Sequence, residues 1–165
     1  MSRLGTGQWI GEHLNVIITG AIGVGTTWIA CALAHKACRD GFTVRYLRLP
    51  HLLQDLAMAR AEGRYTQLLA ELARSELLVL DDWGLAPLND EQRRDLLEIL
   101  DDRFKTCATL VTSQLPVAHW HDYLGDPTPA DAILDRLVHR AYKISLTGES
   151  MRKLAARLTD DPARA

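Results

Sequence analysis

One glycine-rich turn, set between an apolar run and an alanine-rich stretch, constrains the fold of this chain more than any other feature. It reads Gly20-Ala21-Ile22-Gly23-Val24-Gly25-Thr26-Thr27. The pattern G-x-x-x-x-G-K-S/T of phosphate-binding loops is met at every defined position except the lysine, where Thr26 stands. Val16–Thr19 before it predicts a buried strand, and Thr27–Arg39 after it predicts a helix that stops at Asp40-Gly41. Glycines let backbone amides turn inward around phosphate oxygens, and the helix N-terminus adds a favourable dipole. Gly20, Gly23, Val24, Gly25, Thr26, Thr27 and Trp28 are therefore the candidate nucleotide-binding residues. Thr27 holds the place of the Mg²⁺-binding hydroxyl.

No nearby lysine replaces the missing one. Lys36 lies more than two helical turns away, and Ala21 occupies the place of the early lysine of some variant loops. Thr26 offers a hydroxyl, but no charge and too little reach. A lost charged hydrogen bond costs about 1.5–3 kcal/mol, so binding is expected to weaken roughly ten- to a hundred-fold. Hydrolysis is expected to suffer more, because the lysine stabilises charge on the β and γ phosphates.

A second motif supports the first. Leu77-Leu78-Val79-Leu80-Asp81-Asp82 is an apolar strand ending in two carboxylates, about fifty residues past the loop. In this class Asp81 would hold Mg²⁺ through water, and Asp82 would polarise the attacking water. Further apolar runs at Thr43–Leu47, Ala108–Thr112 and Tyr142–Leu146 complete the expected strands. Such continuous runs suit a parallel sheet covered on both faces. Helices are expected between them. His51–Arg74 reads as two helices around Gly63. Asn89 and Gln92 form a capping box for the next helix, whose apolar side is Leu96, Leu97, Leu100 and Phe104. Ala130–Arg140 turns Ile133, Leu134, Leu137 and Val138 inward. This alternation predicts an α/β three-layer P-loop domain.

The chain has 165 residues, which suits one domain over residues 1–153, with a short polar tail at 154–165 expected to be flexible. A net charge of −2 gives no global attraction for nucleic acid, so any DNA contact must be local. Cys31, Cys38 and Cys107 form no disulfide framework, and no run approaches a membrane span. A cytoplasmic location with no membrane contact is expected. His119 and His121 read as loop residues without a metal site, and Trp28, Trp83 and Trp120 as core or interface packing residues.

With these motifs in place, the sequence resembles the IstB type of insertion-sequence transposition helper, an AAA+ ATPase close to the DnaC helicase loaders. The resemblance covers roughly residues 6–153. It is carried by Thr6-Gly7-Gln8-Trp9-Ile10, the phosphate loop, Lys36-Ala37-Cys38-Arg39 with Gly41, Val44-Arg45-Tyr46, Leu52-Leu53 and Glu62-Gly63-Arg64. It continues through Asp81-Asp82-Trp83-Gly84-Leu85-Ala86-Pro87-Leu88, Thr112-Ser113-Gln114-Leu115-Pro116, Ile133-Leu134-Asp135-Arg136-Leu137 and Gly148-Glu149-Ser150.

The resemblance implies an AAA+ sheet of five parallel strands. It implies ATP or ADP with Mg²⁺ as ligand, a homo-oligomer when nucleotide is bound, double-stranded DNA as a partner, and recruitment of a transposase. It places Ser113 and Gln114 where a sensor feels the γ-phosphate. Arg136 matches the arginine that reaches a neighbouring subunit's nucleotide, and Arg152 the sensor arginine near the end. DNA-facing candidates are Lys36, Arg39, Arg60 and Arg64, with Tyr65 beside them; phosphate contacts of this kind are sequence-independent and salt-sensitive. Local alternatives stand beside these roles: Ser113 and Gln114 as caps of the next helix, and Arg136 as a surface partner of Asp135 or Glu149. The family also carries a helical region ahead of the ATPase domain, whereas about fifteen residues precede the first strand here. The chain is therefore expected to be a truncated member, an isolated domain or a decaying copy. The alternative functional reading is a P-loop interaction module without catalysis, or a DnaC-like helicase-loader remnant. A small-molecule kinase is disfavoured by the Asp135-Arg136-Leu137 context and by the lack of a lid.

Overall fold

Five strands line up in parallel and build one sheet, which the computed structural model shows in its description of residues 4–148. Arg152 and the tail at 154–165 lie outside the described residues. In chain order the elements are α1 (Gln8–Gly11), β1 (Asn15–Gly20), α2 (Thr26–Arg39), β2 (Val44–Arg48), α3 (Leu49–Ala61) and α4 (Tyr65–Arg74). They continue with β3 (Leu77–Trp83), α5 (Asp90–Arg103), β4 (Ala108–Ser113), α6 (Trp120–Leu124), α7 (Pro127–Val138) and β5 (Ala141–Leu146). The sheet order is β2-β3-β4-β1-β5.

The two faces of the sheet bury different sets of side chains. Val16, Ile18, Leu77, Val79 and Leu110 pack with Trp9, Ile10, Ala30, Ala34 and Ala37, so α1 and α2 cover this face. Ile17, Leu78, Leu80 and Val111 pack with residues of α3 to α7 on the other. The three central strands are buried on both faces, which explains their unbroken apolar runs. The edge strands β2 and β5 are only half-buried.

Handedness explains this division. The step from β1 to β2 runs one way across the sheet, and every later step runs back. Right-handed crossovers then put α2 on one face and the later helices on the other. The chain leaves β1 and its neighbour β4 toward opposite faces. A crevice opens at the carboxyl ends of such a strand pair, where α/β sheets bind ligands.

Most expected elements appear within a residue or two. The capping box is present: Asn89 Oδ1 accepts from Gln92 N at 2.8 Å, and Gln92 Oε1 accepts from Asn89 N at 3.0 Å. Asn89→Ala is expected to cost about 1 kcal/mol, read as a fall of a few degrees in melting temperature.

Two expectations need correction. The buried face of α5 is Asp95, Leu96, Ile99, Leu100 and Arg103, while Leu97 and Phe104 are only half-buried. Asp95 and Arg103 can sit on this face because each is hydrogen-bonded there, Asp95 by Arg60 and Tyr65 at the rim and Arg103 by Thr109 and backbone carbonyls. The last helix starts at Pro127 rather than Ala130, since Asp126 caps it by accepting from Thr128 N at 3.3 Å. Trp83 and Trp120 do pack, with ring centroids 5.2 Å apart. Trp28 is 70% exposed, so it does not belong to the core of this chain.

Candidate functional site

The loop after β1 folds back on its own start. A Cβ on Gly20 would lie 2.6 Å from Val24 Cγ2, so no larger residue fits there. Gly23 and Gly25 adopt φ of 83° and 104°, a region that favours glycine. Gly25 caps α2 without a side-chain acceptor, and first-turn amides have no partner within a helix. The loop therefore presents unpaired N–H groups and a helix dipole at the carboxyl edge of the sheet, which is the chemistry an anionic phosphate requires.

A cleft of about 340 Å³ lies over this turn, lined by Gly23, Gly25, Thr26, Thr27, Trp28, Asp82 and Gln114 among others. Its size falls in the range of small-molecule sites. Gly20 and Val24 shape the loop from behind. Ser113 is buried and spends its hydroxyl on the local turn, donating to Trp83 O at 2.6 Å and accepting from Leu115 N at 3.0 Å. Gln114 is exposed on the cleft wall.

Asp81 is the polar centre of the site, although it is only 3% exposed. Thr27 Oγ1 donates to its two carboxylate oxygens at 3.1 and 3.3 Å. Tyr46 Oη and Thr112 Oγ1 also donate to it, as does Asp82 N at 3.1 Å. Burial, and then the bond to Asp81, push the Tyr46 phenol well above its usual range. The two expected magnesium ligands thus touch directly across 54 residues of sequence. A hydroxyl beside a carboxylate is a hard-oxygen donor set that suits Mg²⁺. The loop, the cleft and this pair fit a Mg²⁺-nucleotide; at the lysine position the fit lacks its usual cation.

Asp82 sits at φ 64° and turns away from Asp81. Its Oδ2 accepts from Arg48 Nε at 2.8 Å and Nη2 at 2.6 Å. Sequence reasoning missed Tyr46, Arg48 and Thr112. Each is a polar group at or near a strand's carboxyl end, which is the one signal the sequence offered.

Arg136 is not brought to this cleft. The start of β1 lies beside it, because Asn15 Nδ2 donates to Arg136 O at 3.2 Å. Its guanidinium bonds Asp101 Oδ1 at 2.7 Å, with Asp135 at 3.6 Å. Within one chain it therefore serves the opposite end of the sheet, and a role at a nucleotide requires a second subunit.

The four DNA-facing candidates do not form one patch. Lys36 and Arg39 ride on α2, while Arg60 and Arg64 belong to the helices across the sheet. Lys36 pairs with Asp40 at 2.7 Å, and Arg64 pairs with Glu62. Arg60 reaches Asp95 at 2.8 Å and Glu91 at 3.0 Å, and covers the Tyr65 ring at 4.1 Å. Tyr65 Oη donates to the same Asp95 oxygen at 2.7 Å. Arg60 thus ties α3 to α5 over a buried carboxylate. Arg60→Ala is expected to lower the melting temperature clearly, because Asp95 loses its cation; Arg64→Ala is expected to leave it within a degree or so of the parent, as for an exposed pair.

Comparison with known proteins gives the family. The description "IstB-like ATP binding protein" fits residues 1–159. The chain belongs to the IstB-like ATP-binding protein family. An insertion sequence ATP-binding protein of Sinorhizobium fredii is 57% identical over 89% of this chain and 60% of its own length. One from Pseudomonas aeruginosa is 36% identical over 84% of this chain and 52% of its own length. This IstB-like chain thus spans about 60% of the length of the Sinorhizobium fredii relatives it matches.

The solved structure of DnaI superposes with a TM-score of 0.77 at 21% identity, covering 88% of this chain and 82% of that one. The DnaC helicase loader gives 0.73 at 20%, covering 88% of each. AMPPCP-bound DnaA from Aquifex aeolicus gives 0.72 at 16%, covering 96% of this chain and 50% of that one. These likenesses show that the IstB-like chain has the P-loop AAA+ fold. Among its described residues, no helix is long and apolar enough to cross a membrane.

Proposed function

We propose that this chain is the nucleotide-binding core of an insertion-sequence helper, which assembles on DNA with ATP bound and recruits a transposase. The contact of Thr27, which lines the phosphate-loop cleft, with the buried Asp81 behind it carries this reading. Bound Mg²⁺-ATP would supply the phosphoryl bond whose cleavage resets the assembly. The loop amides bind the phosphates, Thr27 and Asp81 hold the metal, and Asp82 and Gln114 orient water at the cleft wall. Arg136 completes a neighbour's site, and Arg152 serves as a sensor. The assembly works in the cytoplasm. Hydrolysis is slow, because Thr26 puts no charge at the β and γ phosphates.

The second reading, an interaction module without catalysis, is favoured by one observation: Asp82 is held by Arg48 and is not free to act as a base. Titration with Mg²⁺-ATP and Mg²⁺-ADP separates the two. Binding in the micromolar to sub-millimolar range with measurable phosphate release supports the helper ATPase. Binding without phosphate release supports the module. No binding at millimolar ATP removes both nucleotide readings. For the DNA role, a mobility shift of duplex DNA that weakens steeply with salt is expected; no shift in the presence of ATP counts against it.

A further inference from the structure

The phosphate loop has no cation of its own, yet a cation is bonded to a carboxylate of the cleft wall. Among the described residues, Arg48 is the one basic side chain bonded to a residue of the cleft wall, at 2.6 Å from Asp82 Oδ2. It closes β2, and the strand register sets it opposite Asp81. Asp81 in turn holds Thr27, the second residue of α2. Asp81 and this guanidinium are therefore carried by two adjacent strand ends, with Thr27 of α2 bonded to Asp81.

We propose that Arg48 supplies the positive charge to the terminal phosphates that Thr26 cannot. The inference rests on the nucleotide reading above and adds a binding residue to it. Three observations carry it. The Arg48 side chain is 46% exposed, so it can swing without unpacking the core. Its contact with Asp82 uses Nε and Nη2 on one oxygen, which leaves Nη1 with no partner among the described residues. A guanidinium presents several donors in a planar fork and can hold a carboxylate on one edge and a phosphate on the other. A phosphate chain also carries more negative charge than the single carboxylate that now holds it. The residue is thus both the restraint on Asp82 and the available substitute for the lysine.

The test is a double-mutant cycle on nucleotide affinity. Mg²⁺-ATP binding is measured by calorimetry for the parent, Arg48→Met, Thr26→Lys and the double variant, with melting temperatures taken for each. Arg48→Met is expected to weaken ATP binding about ten- to a hundred-fold with little change in melting temperature, since exposed pairs contribute little to stability. Arg48→Lys is expected to retain part of the affinity. In the Thr26→Lys background, Arg48→Met is expected to cost less than about threefold, because the loop then has its own cation. ATP binding unchanged by Arg48→Met overturns the inference alone. A loss that persists in full beside Thr26→Lys also overturns it, since that loss would be structural. A parent chain that binds no ATP overturns the nucleotide reading itself.

Discussion

Thr26→Lys is expected to tighten Mg²⁺-ATP binding by about ten- to a hundred-fold and to raise the rate of phosphate release by more. Position 26 opens α2 and lines the cleft, so a side chain there rises from the turn that the glycines shape. The backbone needs no adjustment, because the left-handed positions fall on Gly23 and Gly25. The added ammonium would stand over the first-turn amides, where a phosphate chain would lie. Ground-state binding gains one charged hydrogen bond. The rate gains further, because negative charge on the bridging and γ oxygens grows on the way to the transition state.

Thr26→Met provides the control, having length without charge, and is expected to give no gain. Calorimetry measures the affinity, and a phosphate-release assay the rate. If Thr26→Lys brings no gain in ATP affinity even beside Arg48→Met, where no other cation compensates, the loop is not shaped for phosphate and the reading of this site is wrong. If affinity rises but release does not, then Asp82 stays held by Arg48, and the interaction module becomes the better description.

The parts of this site that the sequence made visible are those carried by contiguous motifs. Gly20 to Thr27 could be read because a phosphate loop is local: its glycines, its strand and its helix all fall within a short span. Asp81 could be read because an apolar strand ending in acid is also local. Arg48 and Tyr46 could not, because their contact with the acidic pair depends on β2 lying next to β3, which only the sheet order reveals. The nucleic-acid candidates failed to gather for a related reason. Arg60 is exposed, but the buried Asp95 of α5 engages it, a contact the sequence does not show. The fold itself was legible at the three central strands, where burial on both faces erases polar alternation. It was least legible on α5. There the apolar residues Leu97 and Phe104 suggested one face, while the true face admits Asp95 and Arg103 because each is hydrogen-bonded, Asp95 to Arg60 and Tyr65 and Arg103 to Thr109 and backbone carbonyls. Hydrophobic periodicity cannot register a charge that is satisfied inside the protein.

Arg103 gives the largest stability effect expected outside the site: Arg103→Ala should lower the unfolding free energy by about 3–5 kcal/mol and the melting temperature by roughly ten degrees or more. Only 2% of the residue is exposed. Its Nη1 donates to Leu72 O and Ser75 O, both at 2.7 Å, and its Nη2 to Ala108 O at 2.5 Å. Its Nε donates to Thr109 Oγ1 at 3.1 Å. Leu72 and Ser75 stand in the last turn and at the C-cap of α4, where carbonyls have no helical partner and the dipole is negative. The guanidinium therefore caps α4 and ties it to the start of β4. Among the described residues no carboxylate contacts it, so burial pushes its pKa down, to about 10, and it stays charged at neutral pH. The four bonds offset that desolvation only while all are made. Truncation to alanine would remove them together, leaving buried carbonyls unpaired and a void beside the sheet. Arg103→Lys should recover part of the loss, since an ammonium keeps the charge but cannot span the same acceptors with a planar fork. Thermal unfolding of the three proteins, with ATP titrated well below the transition, checks both halves of the argument. Because α4 and the start of β4 lie away from the phosphate cleft, nucleotide affinity should be unchanged in the folded variants. An Arg103→Ala protein that melts within two or three degrees of the parent would show that water, rather than the guanidinium, satisfies these carbonyls.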